Sequence, residues 1–450
     1  MADFNEKTLN EDCDHEMPCP NGSGKPVRAL SLKVNFSWSL IGNVVYNACQ
    51  WGILAAFNKL EGTTSAGLFI LGLTITTPIT QFCSLQLRSV YVSDVKEEYR
   101  FSDYLGTRYV WNFIALSLCV LASLFYWPST EKMLIIIAVG IAANIQATGE
   151  IYVSLFQKRE RMNLLAFSSI IKGILNLVGV VLVFWLTTSV LYAAISMIVT
   201  RFLGIVLYDR VYAAKMFGTM TGNGGNDWKS IRPCYVLPKM KKISIISFPL
   251  GLTMLMISLS PQIPRLFLTQ YADISVLGIF GSISYIMVAG NMLMAALGTT
   301  LSPRLARSYE SGNKRDYVRL IKISALLFIG IGLACILVVS LFGDLILKLL
   351  YNDEYVGHKN ILVILTCGAA AGFMTSVAGY ALTAARCFKV QPYILFANTV
   401  LVFATCALWI PPYGITGAAW AVFVPTLLNM SAFLVVLKIA VDRCGKIDAK

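Results

Sequence analysis

Three ionisable side chains stand inside otherwise apolar stretches of this 450-residue chain: Glu150, Lys172 and Arg201. A charge in hydrocarbon costs several kcal/mol, so such a residue usually faces a partner or a wet cavity. Counted from the basic ends of their stretches, all three lie roughly six to ten residues deep, about 9–15 Å at 1.5 Å per residue. They can therefore share one level. Two arrangements stay open at this point. One is a structural pair, Glu150 with Lys172 or Arg201, that holds helices together while the long stems reach toward the interface. The other is a net-positive wall for an anionic head group, because two cations stand against one acid. A fourth charge, Arg265, follows Pro261 and Pro264. Prolines remove backbone donors and favour a bend there. Arg265 either anchors the opposite interface or lines the same cavity.

Neutral polar residues accompany these charges. Asn43, Asn47 and Gln50 follow spacings of four and three, which puts them on one helical face. Asn291 adds polarity to a later stretch, and Thr299 lies just past its end. An amide both donates and accepts, which suits sugar hydroxyls. Such stripes also bond neighbouring helices. Enzyme chemistry is poorly provided for. The only histidines are His15 and His358. There is no P-loop, no cluster with metal-ligand spacing and no pair of carboxylates within one apolar region. Cys13, His15 and Cys19 match no zinc pattern. The chain is therefore expected to have no catalytic residues, no metal and no cofactor, and not to be an ATP-driven pump by itself.

The elements that must carry these residues are set by composition. Hydrophobic residues make up 56% and charged ones 14%, against roughly 25% charged in a soluble domain. The apolar residues come in runs long enough to cross about 30 Å of hydrocarbon. The runs are Phe36–Phe57, Ala66–Leu87, Tyr109–Tyr126, Met133–Phe156, Leu164–Leu186, Val190–Leu207, Ile243–Leu268, Ile274–Ala296, Leu320–Phe342, Ile361–Ala384, Tyr393–Pro411 and Gly417–Leu437. The expectation is an all-α polytopic membrane protein of about twelve transmembrane helices. No cleavable signal is expected before the first run, which is itself long enough to stay in the membrane.

The net charge is +13. Its Lys and Arg gather in alternate loops, which sets orientation rather than marking nucleic acid, and no nucleic-acid motif is present. Arg88, Lys96, Arg100 and Arg108 join runs two and three; Lys158, Arg159 and Arg161 follow run four; Arg304, Arg307, Lys314, Arg315 and Arg319 follow run eight. The other side keeps only Lys59, Lys132, Lys348 and Lys359, with Arg265 as a further candidate there. Both termini are then cytoplasmic. None of the eleven Cys falls in an outer loop, so reduced, unpaired thiols are expected. The Gly-rich stretch Thr221–Gly225 divides six runs from six. The expected organisation is a disordered tail at 1–33, a six-helix bundle at 34–208, a cytoplasmic linker at 209–242, a second bundle at 243–438 and a tail at 439–450. Ser65-Ala66-Gly67-Leu68-Phe69 is echoed by Ser275-Val276-Leu277-Gly278-Ile279-Phe280, which favours two halves related by internal pseudo-symmetry. Repeats of that kind place the substrate site at their interface.

Ordered features add a resemblance. The first helix begins Phe36-Ser37-Trp38-Ser39-Leu40-Ile41-Gly42-Asn43. Pro264-Arg265 and Leu277-Gly278-Ile279-Phe280 come next, then Leu301-Ser302-Pro303-Arg304-Leu305-Ala306-Arg307 and a basic segment from Ser311-Gly312. Gly343-Asp344, Leu349-Leu350-Tyr351 and Glu354-Tyr355 complete the series. In order and spacing these residues resemble the polysaccharide flippase family, the O-antigen or Wzx-type branch of the multidrug/oligosaccharidyl-lipid/polysaccharide exporter superfamily. The resemblance implies alternating-access transport of undecaprenyl-pyrophosphate-linked oligosaccharide from the inner to the outer leaflet of a bacterial plasma membrane. It implies membrane lipids and other polysaccharide-assembly proteins as partners. Depth and charge, not a family motif, make Lys172, Arg201 and Arg265 the candidates to meet the pyrophosphate. They also make Glu150 the candidate for coupling to an ion gradient. The alternatives are a multidrug or cation exporter of the same fold, against which the sparse intramembrane acids count, and a membrane glycan polymerase or ligase, which the short outer loops disfavour.

Overall fold

In bilayer hydrocarbon no water satisfies a bare peptide group, so a chain of long apolar runs closes its backbone hydrogen bonds within helices. The computed structural model describes residues 32–94, 97–126, 129–220, 225–285, 305, 307–311, 313–385 and 390–444, and among them it is helical with no strand. The helices are α1 (Leu32–Glu61), α2 (Thr63–Cys83), the short α3 (Leu87–Ser93), α4 (Phe101–Ser123), α5 (Thr130–Lys158), α6 (Met162–Thr187), α7 (Val190–Gly204), α8 (Arg210–Met220), α9 (Leu237–Leu259) and α10 (Ile263–Tyr271). They continue with α11 (Ile274–Tyr285), α12 (Lys314–Leu350), α13 (Lys359–Ala384) and α14 (Gln391–Cys444).

Ten helical segments among the described residues are long and apolar enough to span a bilayer. Segment Gln391–Asp442 is two spans in one, because non-helical Gly414 (φ 54°, ψ −130°) breaks α14 just after Pro411 and Pro412. Helix α11 is apolar but shorter than a span over its described residues. With α14 divided, the described residues hold eleven spans and one shorter apolar helix, in keeping with the expected number of about twelve. Outward faces are aliphatic and aromatic, as at Phe113, Trp185, Leu326 and Leu345, the inverse of a soluble surface. The tail at 1–31, Asn291 and Thr299 lie outside the described residues.

The chain divides into two compact units. One is Met1–Gln50 with Ile75–Leu255, and the other is Trp51–Thr74 with Met256–Lys450. Helices α1 and α2 are thus each shared, with their adjoining halves counted in the second unit. In the first unit an aromatic core lies at the end of the bundle that carries α3 and α8. Tyr91 meets the edges of Phe101 and Tyr104 at 5.6 and 5.2 Å, and Phe101 packs on Tyr152 and Phe217. In the second unit Tyr317 of α12 is fully buried and donates to the Ala381 carbonyl of α13 at 2.8 Å.

Two sequence expectations change. Arg108, expected in a connecting loop, lies inside α4, because that helix starts eight residues earlier than its apolar run: Asp103 caps it by accepting the Arg100 backbone N–H at 3.0 Å. Cys234 is disulfide-bonded, whereas six other cysteines among the described residues, including Cys49, Cys83 and Cys406, are free thiols as expected. The unpaired reading of Cys234 rests on a solvated loop, but its backbone N–H is tied to the Ser102 carbonyl at 3.0 Å and the residue is buried.

Candidate functional site

Helix α7 does not end at Leu207. It passes through a π-helical turn, Ile205–Asp209, into α8. No Gly or Pro falls between residues 205 and 217 to stop it. One extra residue in a turn rotates the downstream side chains by about 100° relative to a continuous α-helix. That rotation buries Asp209 completely. Its Oδ2 lies 2.8 Å from the Lys172 Nζ, and its Oδ1 accepts a hydrogen bond from the Ser168 hydroxyl. Two glycines make room for the pair. A Cβ on Gly204 would sit 2.5 Å from the Lys172 Cγ, and one on Gly149 would sit 3.3 Å from the Asp209 Oδ2.

One of the arrangements open from the sequence pairs Glu150 with Lys172 or Arg201. The structure gives Lys172 a different carboxylate, Asp209, which falls within the expected linker. Glu150 on α5 acts electrostatically on two other groups, the Arg108 guanidinium and the Tyr46 hydroxyl. Arg201 also acts on Tyr46, which hydrogen-bonds the Gln146 side chain. Gly173, next to Lys172, would place a Cβ 3.2 Å from the Tyr46 Cα. The three sequence-nominated charges are therefore gathered in the first unit around Tyr46 of α1, with Arg108 and Asp209 added to the set. Arg108 is 1% exposed, and its Nε, Nη1 and Nη2 find no hydrogen-bond acceptor among the described residues. Among these five charges, Arg108, Lys172 and Arg201 stand against Glu150 and Asp209, a balance of +1.

The amide stripe is partly self-contained. Asn47 donates to the Asn43 carbonyl at 2.8 Å, a bond within one turn of α1. The Gln50 Nε2 is buried without a partner among the described residues. Thr200 of α7 donates to the Asn176 Oδ1 of α6 at 3.0 Å, which ties the two helices that carry Arg201 and Lys172.

Arg265 belongs to the second unit. It sits in the first turn of α10, after the bend that Pro261 and Pro264 introduce. Its Nη1 donates to Gln262 at 3.1 Å and its Nη2 to Ser284 at 3.0 Å, while Nε stays unbonded among the described residues. Both acceptors are neutral, and no carboxylate lies within ion-pair distance among the described residues. Its charge is therefore held without being cancelled.

A second polar assembly in this unit was visible in the sequence only as separate fragments. Asn58 of α1 is fully buried and donates to the Leu54 carbonyl and the Ser282 hydroxyl at 2.9 and 3.0 Å. Its side-chain oxygen accepts from the Tyr355 hydroxyl. The Tyr351 hydroxyl donates to the Ser282 carbonyl at 2.7 Å and accepts from Trp51 at 3.2 Å. Glu354 accepts the Thr63 backbone N–H at the start of α2. Beside this network the two echoed segments cross. A Cβ on Gly67 would fall 2.0 Å from the Ile274 carbonyl oxygen, and one on Gly278 would fall 2.0 Å from that of Thr63. Each glycine faces the carbonyl four residues before the other, which is the reciprocity that a two-fold relation between the segments produces.

Comparison with known proteins agrees with this architecture. The chain matches the family described as "Polysaccharide biosynthesis protein" over residues 32–309, and the MatE family over 249–408. It is 25% identical over 400 residues to the capsular polysaccharide biosynthesis protein CapF of Staphylococcus aureus, covering 89% of this chain and 97% of the relative. An inward-facing structure of a multidrug resistance MATE family transporter of the MOP superfamily superposes with a TM-score of 0.70 at 12% identity, over 93% of this chain and 96% of the other. A mutant of the Vibrio cholerae MATE transporter VcmN gives 0.60 at 15% identity, over 92% and 96%. At these identities the likeness establishes the fold.

Proposed function

Because this chain belongs to the polysaccharide biosynthesis protein family, we propose that it is a flippase for undecaprenyl-pyrophosphate-linked oligosaccharide repeat units in a bacterial plasma membrane. The family and the multi-pass MATE fold support a transporter of polysaccharide assembly rather than an enzyme. CapF carries the name of a capsular polysaccharide biosynthesis protein, which supports a lipid-linked saccharide as cargo and other assembly proteins as partners. The concentration of Lys and Arg on one side of the helices supports a cytoplasmic location for both termini.

One observation supports an anionic substrate: the charges gathered with Lys172 in the first unit sum to a positive value. Arg108, Lys172 and Arg201 outnumber Glu150 and Asp209, and Arg265 has only neutral acceptors. A cation exporter needs the opposite balance, since buried carboxylates are what bind cations. In the resting arrangement Asp209 neutralises Lys172. An arriving diphosphate competes for that ammonium, with Arg201 as further charge in the same unit; Arg265, in the other unit, is a separate candidate for the same anionic cargo. Asn43, Asn47 and Gln50 offer donors and acceptors to sugar hydroxyls. Glu150, beside Arg108 and Tyr46, is the acid best placed to couple transport to an ion gradient.

The test is deletion of the gene followed by analysis of lipid-linked intermediates, with complementation by Arg201→Gln and Arg265→Gln. Complete repeat units should accumulate in the cytoplasmic leaflet of the deletion strain, and both variants should insert normally yet fail to restore surface polysaccharide. Full restoration by both would remove these residues from the site. The MatE match over 249–408 favours one second reading, a drug or cation exporter. Drug sensitivity in the deletion strain with normal surface polysaccharide would select it.

A further inference from the structure

Two amide groups in the first unit keep bare donors inside the protein. Asn176 of α6 is 1% exposed, and its Nδ2 finds no acceptor among the described residues; the buried Gln50 Nε2 of α1 finds none either. Buried polar groups are nearly always paired, so each exception calls for a partner. The two amides stand beside one helix contact. A Cβ on Gly173 would fall 3.2 Å from the Tyr46 Cα and 3.4 Å from the Cys49 Sγ, so α6 touches α1 there. Gln50 shares the face of Tyr46 at a spacing of four, and Asn176 shares the face of Gly173 at a spacing of three. The other end of the Asn176 amide is held, because its Oδ1 accepts the Thr200 hydroxyl at 3.0 Å.

Asn176 also follows Lys172 by four residues, on the same face and one turn on, a rise of about 6 Å. The Lys172 side chain keeps 17% exposure, so solvent comes within a turn of the bare amide. A sugar bonded directly to a diphosphate lies about one such step from it. The bare groups are donors. Among the described residues of this unit, the buried carbonyl and carboxylate oxygens left without a partner are Asp103 Oδ1 and Asn163 Oδ1, in the first turns of α4 and α6. The second is about 20 Å along the helix from Asn176. A water accepting from both amides would hold two protons with no bare acceptor beside it. A carbonyl or carboxylate oxygen accepts through two lone pairs and donates nothing.

Resting on the reading of the cargo as a diphosphate-linked saccharide, we propose that Asn176 and Gln50 recognise the sugar next to the diphosphate through an acceptor-only oxygen, the carbonyl of an N-acyl group or a carboxylate. Lys172 meets the diphosphate, and Asn176, one turn away, takes the sugar's substituent. A hydroxyl in that place fits less well, because its proton has no bare acceptor. A site built to hydrogen-bond one group discriminates strongly against the analogue that lacks it.

The test is binding of the full chain, in nonionic detergent, to undecaprenyl diphosphate alone and to the same lipid carrying glucose, N-acetylglucosamine or glucuronic acid. The N-acetylglucosamine or the glucuronic acid lipid should bind roughly tenfold more tightly than the glucose lipid, and which of them does so identifies the oxygen. Asn176→Leu removes one set of donors while the Thr200 hydroxyl keeps the Met197 carbonyl at 3.2 Å. Gln50→Met removes the other on a different helix. Each should bring the ratio of favoured ligand to glucose ligand toward unity, a ratio that damage to the diphosphate site alone leaves in place. Equal affinity for the three sugars in the parent, preference for glucose, or an undiminished ratio in either variant would overturn the sugar site and leave the flippase reading standing. Absence of binding to every diphosphate lipid would overturn that reading, and the sugar site with it.

Discussion

Asp209 decides what can be concluded from Lys172. Removing a cation from a buried ion pair leaves the carboxylate uncompensated, which costs about 3–5 kcal/mol. A lost phenotype in Lys172→Met would therefore confuse folding with transport. The neutral double variant Lys172→Met/Asp209→Asn separates them. Thermal unfolding of purified protein should show the single variant strongly destabilised and the double one recovered to within about 1–2 kcal/mol of the parent, since neutral replacements of a buried pair are often tolerated. Surface polysaccharide should stay absent in both, because the ammonium that meets the diphosphate is gone. Recovery of transport in the double variant would make the pair purely structural. The sequence marked Lys172 through its apolar neighbours. Asp209 gave no such mark, because it stands between Tyr208 and Arg210 next to a polar stretch and its burial depends on a π turn.

At the scale of elements, the close crossing of α2 and α11 and the network around Asn58 make two separate demands. The crossing requires glycine: Gly67→Ala would set a Cβ 2.0 Å from the Ile274 oxygen, and two backbones would have to move apart. Size-exclusion profiles should show a large loss of folded Gly67→Ala and of Gly278→Ala. Gly330→Ala, with open space around it, should be unchanged or slightly more stable, by up to about 1 kcal/mol from helix propensity. Equal behaviour of the three would deny the contact. The network requires hydroxyls. Tyr355→Phe keeps the ring stacked on Tyr351 at 4.7 Å but leaves the Asn58 side-chain oxygen without its donor. A loss of about 1–3 kcal/mol is expected in thermal unfolding, and an unchanged midpoint would show that another donor serves. The sequence echo pointed to the two glycine segments. That they touch each other reciprocally was beyond it, since nothing in a local pattern says which helices cross.

For the whole molecule, charge asymmetry and about twelve expected spans make a topology that can be measured. In a background without reactive native cysteines, Ser230→Cys and Ser311→Cys should be labelled by an impermeant thiol reagent only from the cytoplasm. Glu61→Cys and His358→Cys should be labelled only from outside. Labelling of all four from one side would contradict an odd number of crossings between them. Because the basic segments set this orientation, shifting several Lys and Arg to the other side should disturb insertion before it disturbs packing.

What the sequence determined by itself was whatever rests on local composition: membrane class, the spans, the break near Gly414 after Pro411-Pro412, the clustering of basic residues and the anomalous charges Glu150, Lys172, Arg201 and Arg265. Hydrophobic runs and buried charges are costly wherever they occur, so they show without knowledge of neighbours. Tertiary structure alone decided which charges meet. It paired Lys172 with Asp209 rather than Glu150, drew Arg108 from a supposed loop into the buried set, left Arg265 with neutral acceptors, and joined Asn58 to Tyr355 across 297 residues. A partner is chosen by helix rotation and crossing, and one extra residue in a turn changes the rotation by about 100° without altering hydropathy.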